Sequence, residues 1–431
     1  MTKSFKQAVF AIAIPTALQS LVQNSFTVID QMMIGQLGMA AIAGSGFAGR
    51  YIGIFINVIS AMATGLGIFA AQYAGRNDHK QSAILCRKMV IWTIIGMVII
   101  GLLSCMFPIM HLYTEEAFLE AMLYLRIAIW FLPFGTCTML YSVMLRCYGH
   151  PNEPFYASAV GIGANTLLNA LFIFGFGWGL IGAALATVIS NILNAATVLY
   201  FYRKYLPWLQ EKGELETHAK TLFQVIAPLV LNEFLWSLGE NVYAMVYGHT
   251  SLAASAAMTM TTPIIGLYMG MLMGFSQAAG ILVGRDLGKG NKQEAVIHSK
   301  DLMKLSFLGS LLLFGLLVLI APFYVKIYQV DDQVQTICIQ LLIAFGVMSL
   351  VKVQNMVVGG GILRAGGRTT IVLIIDMIGT WGVGVPLALL GHYLFGDQIV
   401  CIYLLLSQEE VIRYILCLIL FKQGKWISSL N

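Results

Sequence analysis

Twelve apolar stretches follow one another along this chain with only short polar loops between them: about 9–36, 41–73, 89–111, 119–146, 155–175, 180–203, 221–247, 251–284, 302–325, 335–363, 369–395 and 398–421. Each is long enough to cross a hydrocarbon layer about 30 Å thick, which takes about 20 helical residues. Lipid offers no partner to a backbone amide, so a spanning segment must be a helix or part of a closed barrel. The expected fold is therefore all-α and integral to a membrane, with twelve transmembrane helices. Composition supports this, since 58% of the 431 residues are hydrophobic, only 10% are charged and the mean hydropathy is +0.81, which excludes an ordinary soluble domain. The first apolar run starts at Ala8 with no long basic region and no small-residue cleavage pattern, and it reads as a retained helix rather than a signal peptide. The seven cysteines show no CxxC or His/Cys metal spacing and read as small core residues.

The net charge of +5 is less informative than where the charge falls. Lys3 and Lys6 precede the first helix, and alternate loops then carry Arg76, Lys80, Arg87 and Lys88, then Arg146, then Arg203, Lys204, Lys212 and Lys220. The series continues with Arg285, Lys289, Lys292, Lys300 and Lys304, then Arg364 and Arg368, and ends at Lys422 and Lys425. The opposite loops hold Glu115, Glu116, Glu120, Asp331, Asp332 and Asp397. By the positive-inside rule both termini are cytoplasmic, as an even helix count also requires. Nothing in this distribution calls for a nucleic-acid partner.

The chain also repeats itself. Pro15 and Pro228 stand 213 positions apart, Arg76 of AGRNDHKQSA and Arg285 of VGRDLGKGNKQEA 209 apart, and LRCYGHP at Leu145 and LRAGGRT at Leu363 218 apart. Three pairs at nearly one period predict two six-helix bundles, 1–204 and 221–431, joined by a charged linker over 205–220. Because six is even, the repeats are parallel and related by an axis along the membrane normal, with a binding cleft between them.

Within the first half, Asp30 interrupts a segment otherwise fit for lipid. A carboxylate there costs roughly 2.5–3.5 kcal/mol on insertion scales and needs protein, water, a cation or a proton around it. Pro15 frees a backbone carbonyl in the same helix, and such interruptions often line cavities. Asn165 and Asn169 are four apart, so both amides lie on one face of helix five.

The opening PTALQSLVQ…IDQMMIGQLG, the AGRNDHKQ loop, the Asn165–Asn169 spacing, GLIGAALATVIS at Gly179 and GGGILRAGG at Gly359 together resemble the multidrug and toxic compound extrusion family over essentially the full length. The resemblance implies two six-helix bundles arranged in a V and exchange of organic, often cationic, compounds for sodium ions or protons. It also implies that Asp30, Asn165, Asn169 and Thr187 form the cation or proton site, including a sodium ion if that is the coupling ion. Some members have aspartate where this chain has Asn169, so a sodium site here has one formal charge fewer. Protonation or sodium binding would each remove the charge of Asp30 and bias the packing of helix one.

In the second half, Glu233 and Glu240 lie two turns apart on helix seven, Lys352 sits in helix ten and Asp376 in helix eleven. Many members of the family carry an acid about eight residues after the helix-seven proline and another in helix ten. Here Glu233 and Glu240 bracket the first place, and Lys352 is nearest the second. Lys352 is expected to neutralise Glu233 or Asp376, leaving an acid free for a cationic substrate, while Glu409, Glu410 and Arg413 read as a local pairing on helix twelve. Trp236, Tyr243, Tyr247, Tyr268 and Phe275 suit a cavity for flat compounds. The expectation is a monomeric antiporter of the cytoplasmic membrane, in contact with lipid and small organic substrates, with no cofactor beyond the coupling ion. The alternative is a flippase for lipid-linked saccharides, which calls for a more basic cavity than Arg50, Lys352 and Arg413 supply. No HExxH and no serine or cysteine paired with a base supports an enzyme.

Overall fold

The computed structural model describes residues 2–106, 115–210, 213–328 and 330–427, with the side chains of 26–28, 39, 115–118, 209–210 and 252 left outside the description. Among the described residues the chain is helical with no strand. We number twelve rods: α1 (Lys3–Gly35), α2 (Met39–Arg76), α3 (His79–Met106), α4 (115–147, tightened to a 3-10 turn at Ile129–Phe131), α5 (Asn152–Gly175), α6 (Gly179–Tyr205), α7 (Ala219–Gly248), α8 (Leu252–Gly288), α9 (Lys292–Val325), α10 (Asp332–Leu363), α11 (Thr369–Phe395) and α12. The last is two pieces, Ile399–Leu406 and Gln408–Gln423, broken at Ser407. Eleven helices among the described residues are long and apolar enough to cross a membrane, and α12 falls short because it is broken and carries Glu409, Glu410 and Arg413. The predicted end of the third helix at 111 lies outside the described residues, as do Lys212 and the side chains of Glu115 and Glu116.

Helix ends follow local chemistry. Asn77 closes α2 in the left-handed conformation at φ 58°, which asparagine tolerates better than most residues. The Ser251 hydroxyl caps α8 by accepting from the Ala254 amide at 3.2 Å. Small residues bring helices together: a Cβ on Gly361 would stand 2.7 Å from the Ala279 methyl, so α10 packs on α8 at glycine distance. Trp92, Leu312 and Phe323 are exposed on outer faces, as lipid-facing side chains are.

Contacts divide the chain into two compact units. The N-unit is 18–218; the C-unit is 219–431 together with 1–17. The first seventeen residues, expected with the N-terminal bundle, thus pack within the C-unit, where Phe5 stacks on His298 at 3.8 Å and 5° and Gly274 lies against the Ala13 backbone. The end of the expected linker belongs to the N-unit, where Gln81 accepts from the Glu216 amide at 2.9 Å, its own amide donates to the Glu214 carbonyl at 3.3 Å, and Tyr73 meets Thr217.

Candidate functional site

In the N-unit, α1 and α5 bring a carboxylate and two amides into one chain of hydrogen bonds. The Asn169 amide donates one proton to Asp30 Oδ1 at 2.6 Å and the other to Asn165 Oδ1 at 2.8 Å. Asn165 in turn donates to Ser190 Oγ at 3.1 Å, and the Ser190 hydroxyl donates to the Thr187 carbonyl at 2.9 Å. The donors run outward from the Asn169 amide in two directions, to the Asp30 carboxylate on one side and through Asn165 and Ser190 to the Thr187 backbone carbonyl on the other. Asn165 and Asn169 are buried, and Asn169 Oδ1 has no partner among the described residues. A buried amide oxygen without a donor is costly to leave bare. The Thr187 hydroxyl donates to the Ala183 carbonyl at 3.0 Å and lies beside the buried Tyr124 hydroxyl, which is within electrostatic reach of Asp30. Carboxylate, amide and hydroxyl oxygens are of the kind that take a proton or a hard monovalent cation. Directly after Asn169, α5 widens into a π-helical stretch, Ala170–Gly175.

The C-unit interior is a charged cluster. Arg413 lies 3.3 Å from Glu409, 3.8 Å from Glu410 and 4.0 Å from Asp376, and also donates to Thr380. Lys352 pairs with Glu410 at 3.4 Å, and Arg364 with Asp376 at 3.8 Å. Neutral groups complete the set: Asn232 donates to Asp376 at 2.9 Å, Asn355 to Glu410 at 2.8 Å and Tyr243 to Glu409 at 2.5 Å. Backbone proximity matters as well, because a Cβ on Gly384 would collide with the Tyr243 hydroxyl and the Glu409 carboxylate.

These pairings correct two expectations. Lys352 neutralises neither Glu233 nor Asp376, because α10 presents it to α12, where Glu410 meets it. Glu409, Glu410 and Arg413 are not only a local pairing on α12, since they join α7, α10 and α11. Glu233 is half-buried within electrostatic reach of Arg364 and Asp376, Glu240 is exposed, and neither forms an ion pair among the described residues. The aromatic residues expected around a cavity are partly committed elsewhere: Tyr268 bonds to Ser349 at 2.7 Å and to the Ser310 carbonyl at 3.1 Å, and Phe275 lies against Gly309.

The MatE family profile matches residues 15–171 and again 228–390. This chain belongs to the MatE family. The two matches begin 213 positions apart, the spacing of Pro15 and Pro228. Among its relatives is the probable multidrug resistance protein NorM of Thermotoga maritima, 24% identical over 98% of this chain and 93% of that protein. The probable multidrug resistance protein YoeA of Bacillus subtilis is 23% identical over 88% of this chain and 86% of its own length. The MATE transporter VcmN of Vibrio cholerae, solved in the bent form, superposes with a TM-score of 0.87 at 19% identity, covering 99% of each chain. The chain is thus a MATE-type membrane transporter.

Of the residues singled out in the sequence, Asp30, Asn165 and Asn169 lie in one hydrogen-bonded chain, to which the structure adds Ser190, with Tyr124 beside Thr187. Ser190 was available as a polar residue three positions beyond Thr187 on α6, on the same face. Tyr124 carried no comparable signal, because its place depends on how α4 packs in the N-unit.

Proposed function

We propose that this MatE protein exports organic, often cationic, compounds in exchange for protons or sodium ions by alternating access. The observation that carries this reading is Asp30, a membrane-embedded carboxylate held at 2.6 Å by Asn169, whose own amide oxygen has no partner among the described residues. A coupling cation bound there would neutralise Asp30 and satisfy Asn169 Oδ1 together, and its departure would leave both uncompensated. That difference in free energy is what a coupled conformational change requires. Relatives named as multidrug resistance proteins support an organic substrate. One proton moving down about 150 mV supplies roughly 3.5 kcal/mol, enough for a few-hundred-fold gradient of a neutral compound. The reading includes a cytoplasmic membrane location with both termini cytoplasmic, a monomeric unit, no cofactor beyond the coupling ion and no catalytic activity. The partly uncompensated acids of the C-unit, Glu233 and Glu240, are the groups available to a cationic substrate.

The test is dye efflux with a sodium gradient and a proton gradient imposed separately, for wild type and Asp30→Asn. One gradient is expected to drive wild-type efflux, and Asp30→Asn is expected to abolish that dependence. Coupled efflux surviving in Asp30→Asn would overturn the assignment of the coupling site.

A further inference from the structure

The internal repeat allows the two units to be compared residue by residue, and one comparison is unequal. In the C-unit, Asn232, Arg364 and Asp376 form a trio: Asn232 donates to Asp376 at 2.9 Å, and Arg364 lies 3.8 Å from the same carboxylate. Shifting by 213 positions from Asn232 gives Gln19, and shifting by 218 from Arg364 and Asp376 gives Arg146 and Ser158. These three also touch one another in the N-unit. Arg146 Nη2 donates to Gln19 Oε1 at 2.7 Å, and Gln19 Nε2 donates to Ser158 Oγ at 2.7 Å. The same framework of amide, arginine and acceptor is kept, but serine stands in the place of the carboxylate.

Among the described residues Arg146 is therefore a buried cation without a counter-charge. It is 9% exposed, forms no salt bridge among the described residues and has only Cys147 as a titratable neighbour. Lys352, Arg364 and Arg413 all have carboxylates. The amide oxygen of Gln19 offers a dipole, which does not balance a full charge removed from water. Arg146 Nε is buried with no acceptor among the described residues, and so is the hydroxyl of Ser142 one turn earlier on the same face of α4. An unbalanced guanidinium with its Nε unused and an unused hydroxyl one turn away form an acceptor-seeking site, and Asp376 in the C-unit shows that an oxygen anion suits the corresponding arginine.

We propose that the N-unit binds a small inorganic anion, chloride or an oxyanion of similar size, against Arg146 and Ser142, in the role that Asp376 fills in the C-unit. The burial of Arg146 and the close seat of Gln19 favour a small ion over a lipid headgroup. The anion is a structural counter-charge, distinct from the coupling cation at Asp30.

The experiment is thermal unfolding of the purified full-length protein in sodium chloride, sodium nitrate or sodium gluconate at constant sodium. Wild type should show a saturable rise in midpoint of at least about 2 °C with chloride or nitrate relative to gluconate, as for any ligand that binds only the folded state. Arg146→Gln should lose the dependence. Ser158→Asp, which installs the carboxylate of the C-unit trio, should be as stable in gluconate as wild type is in chloride and should no longer respond to either small anion. Equal wild-type midpoints in the three salts would overturn the proposal, and so would a chloride response retained in Ser158→Asp or in Arg146→Gln. Protection by anionic lipid vesicles in gluconate, with none from chloride or nitrate, would move the site to a lipid phosphate and would equally overturn it.

Discussion

Asn169→Asp gives the sharpest test of how the N-unit site is built. The substitution keeps the shape of the side chain and removes both amide protons, so the bonds to Asp30 at 2.6 Å and to Asn165 at 2.8 Å become contacts between acceptors. Two carboxylates then face each other with no intervening donor. A monovalent cation seated about 4 Å from the new carboxylate gains roughly 4 kcal/mol at an effective dielectric of 20. Desolvation of the second charge and the two lost hydrogen bonds take back part of this, about 1–3 kcal/mol. The remainder, roughly 1–3 kcal/mol, corresponds to a gain of about five- to 150-fold in sodium affinity. Sodium-dependent thermal stabilisation, measured against choline at constant chloride, should accordingly be larger and saturate at lower concentration in Asn169→Asp than in wild type. If sodium stabilises both proteins equally, Asp30 and Asn169 do not share a cation and the site has been misread.

Two further outcomes follow from the C-unit. Arg413→Met leaves Glu409, Glu410 and Asp376 with only Lys352 and Arg364 as cations and is expected to cost about 3–5 kcal/mol, the scale of breaking a buried ion pair from one side, read as lost thermal stability; a loss below about 1 kcal/mol would show that the cluster is solvated. Gly384→Ala drives a methyl into the Tyr243 hydroxyl and the Glu409 carboxylate and should cost about 1–3 kcal/mol by the same measurement. Adding Tyr243→Phe, which removes one of the colliding atoms, should recover part of that loss.

Much of this architecture is legible in the residue order because lipid imposes a simple rule on length and polarity. The eleven uninterrupted spans follow from apolar runs, and the repeat follows from proline and arginine spacing. The N-unit site is legible where its partners share one helix, as Asn165 and Asn169 do four positions apart. What the order of residues does not contain is the register between helices. Charge sign alone points Lys352 to Glu233 or Asp376, whereas its partner Glu410 depends on how far α12 slides along α10. The same limit hid Tyr124 beside Thr187 and the hydrogen bonds joining Gln19, Arg146 and Ser158 across three helices.

Three helices here change pitch within a short distance of a polar anchor: α5 at Ala170–Gly175 just past Asn169, α10 at Met356–Leu363 just past Asn355, and α11 at Ile378–Gly384 two residues past Asp376. A π-helical stretch accommodates an extra residue, and each residue of an α-helix turns about 100°. The portion beyond each widened turn is thus set at a different azimuth from the portion before it. The anchors can keep their hydrogen bonds while the remainder of the helix presents another side to its neighbours. Sequence drift beyond such a turn need not disturb the charged residues before it, so the polar interior and the outer surface of one helix are free to diversify under separate constraints.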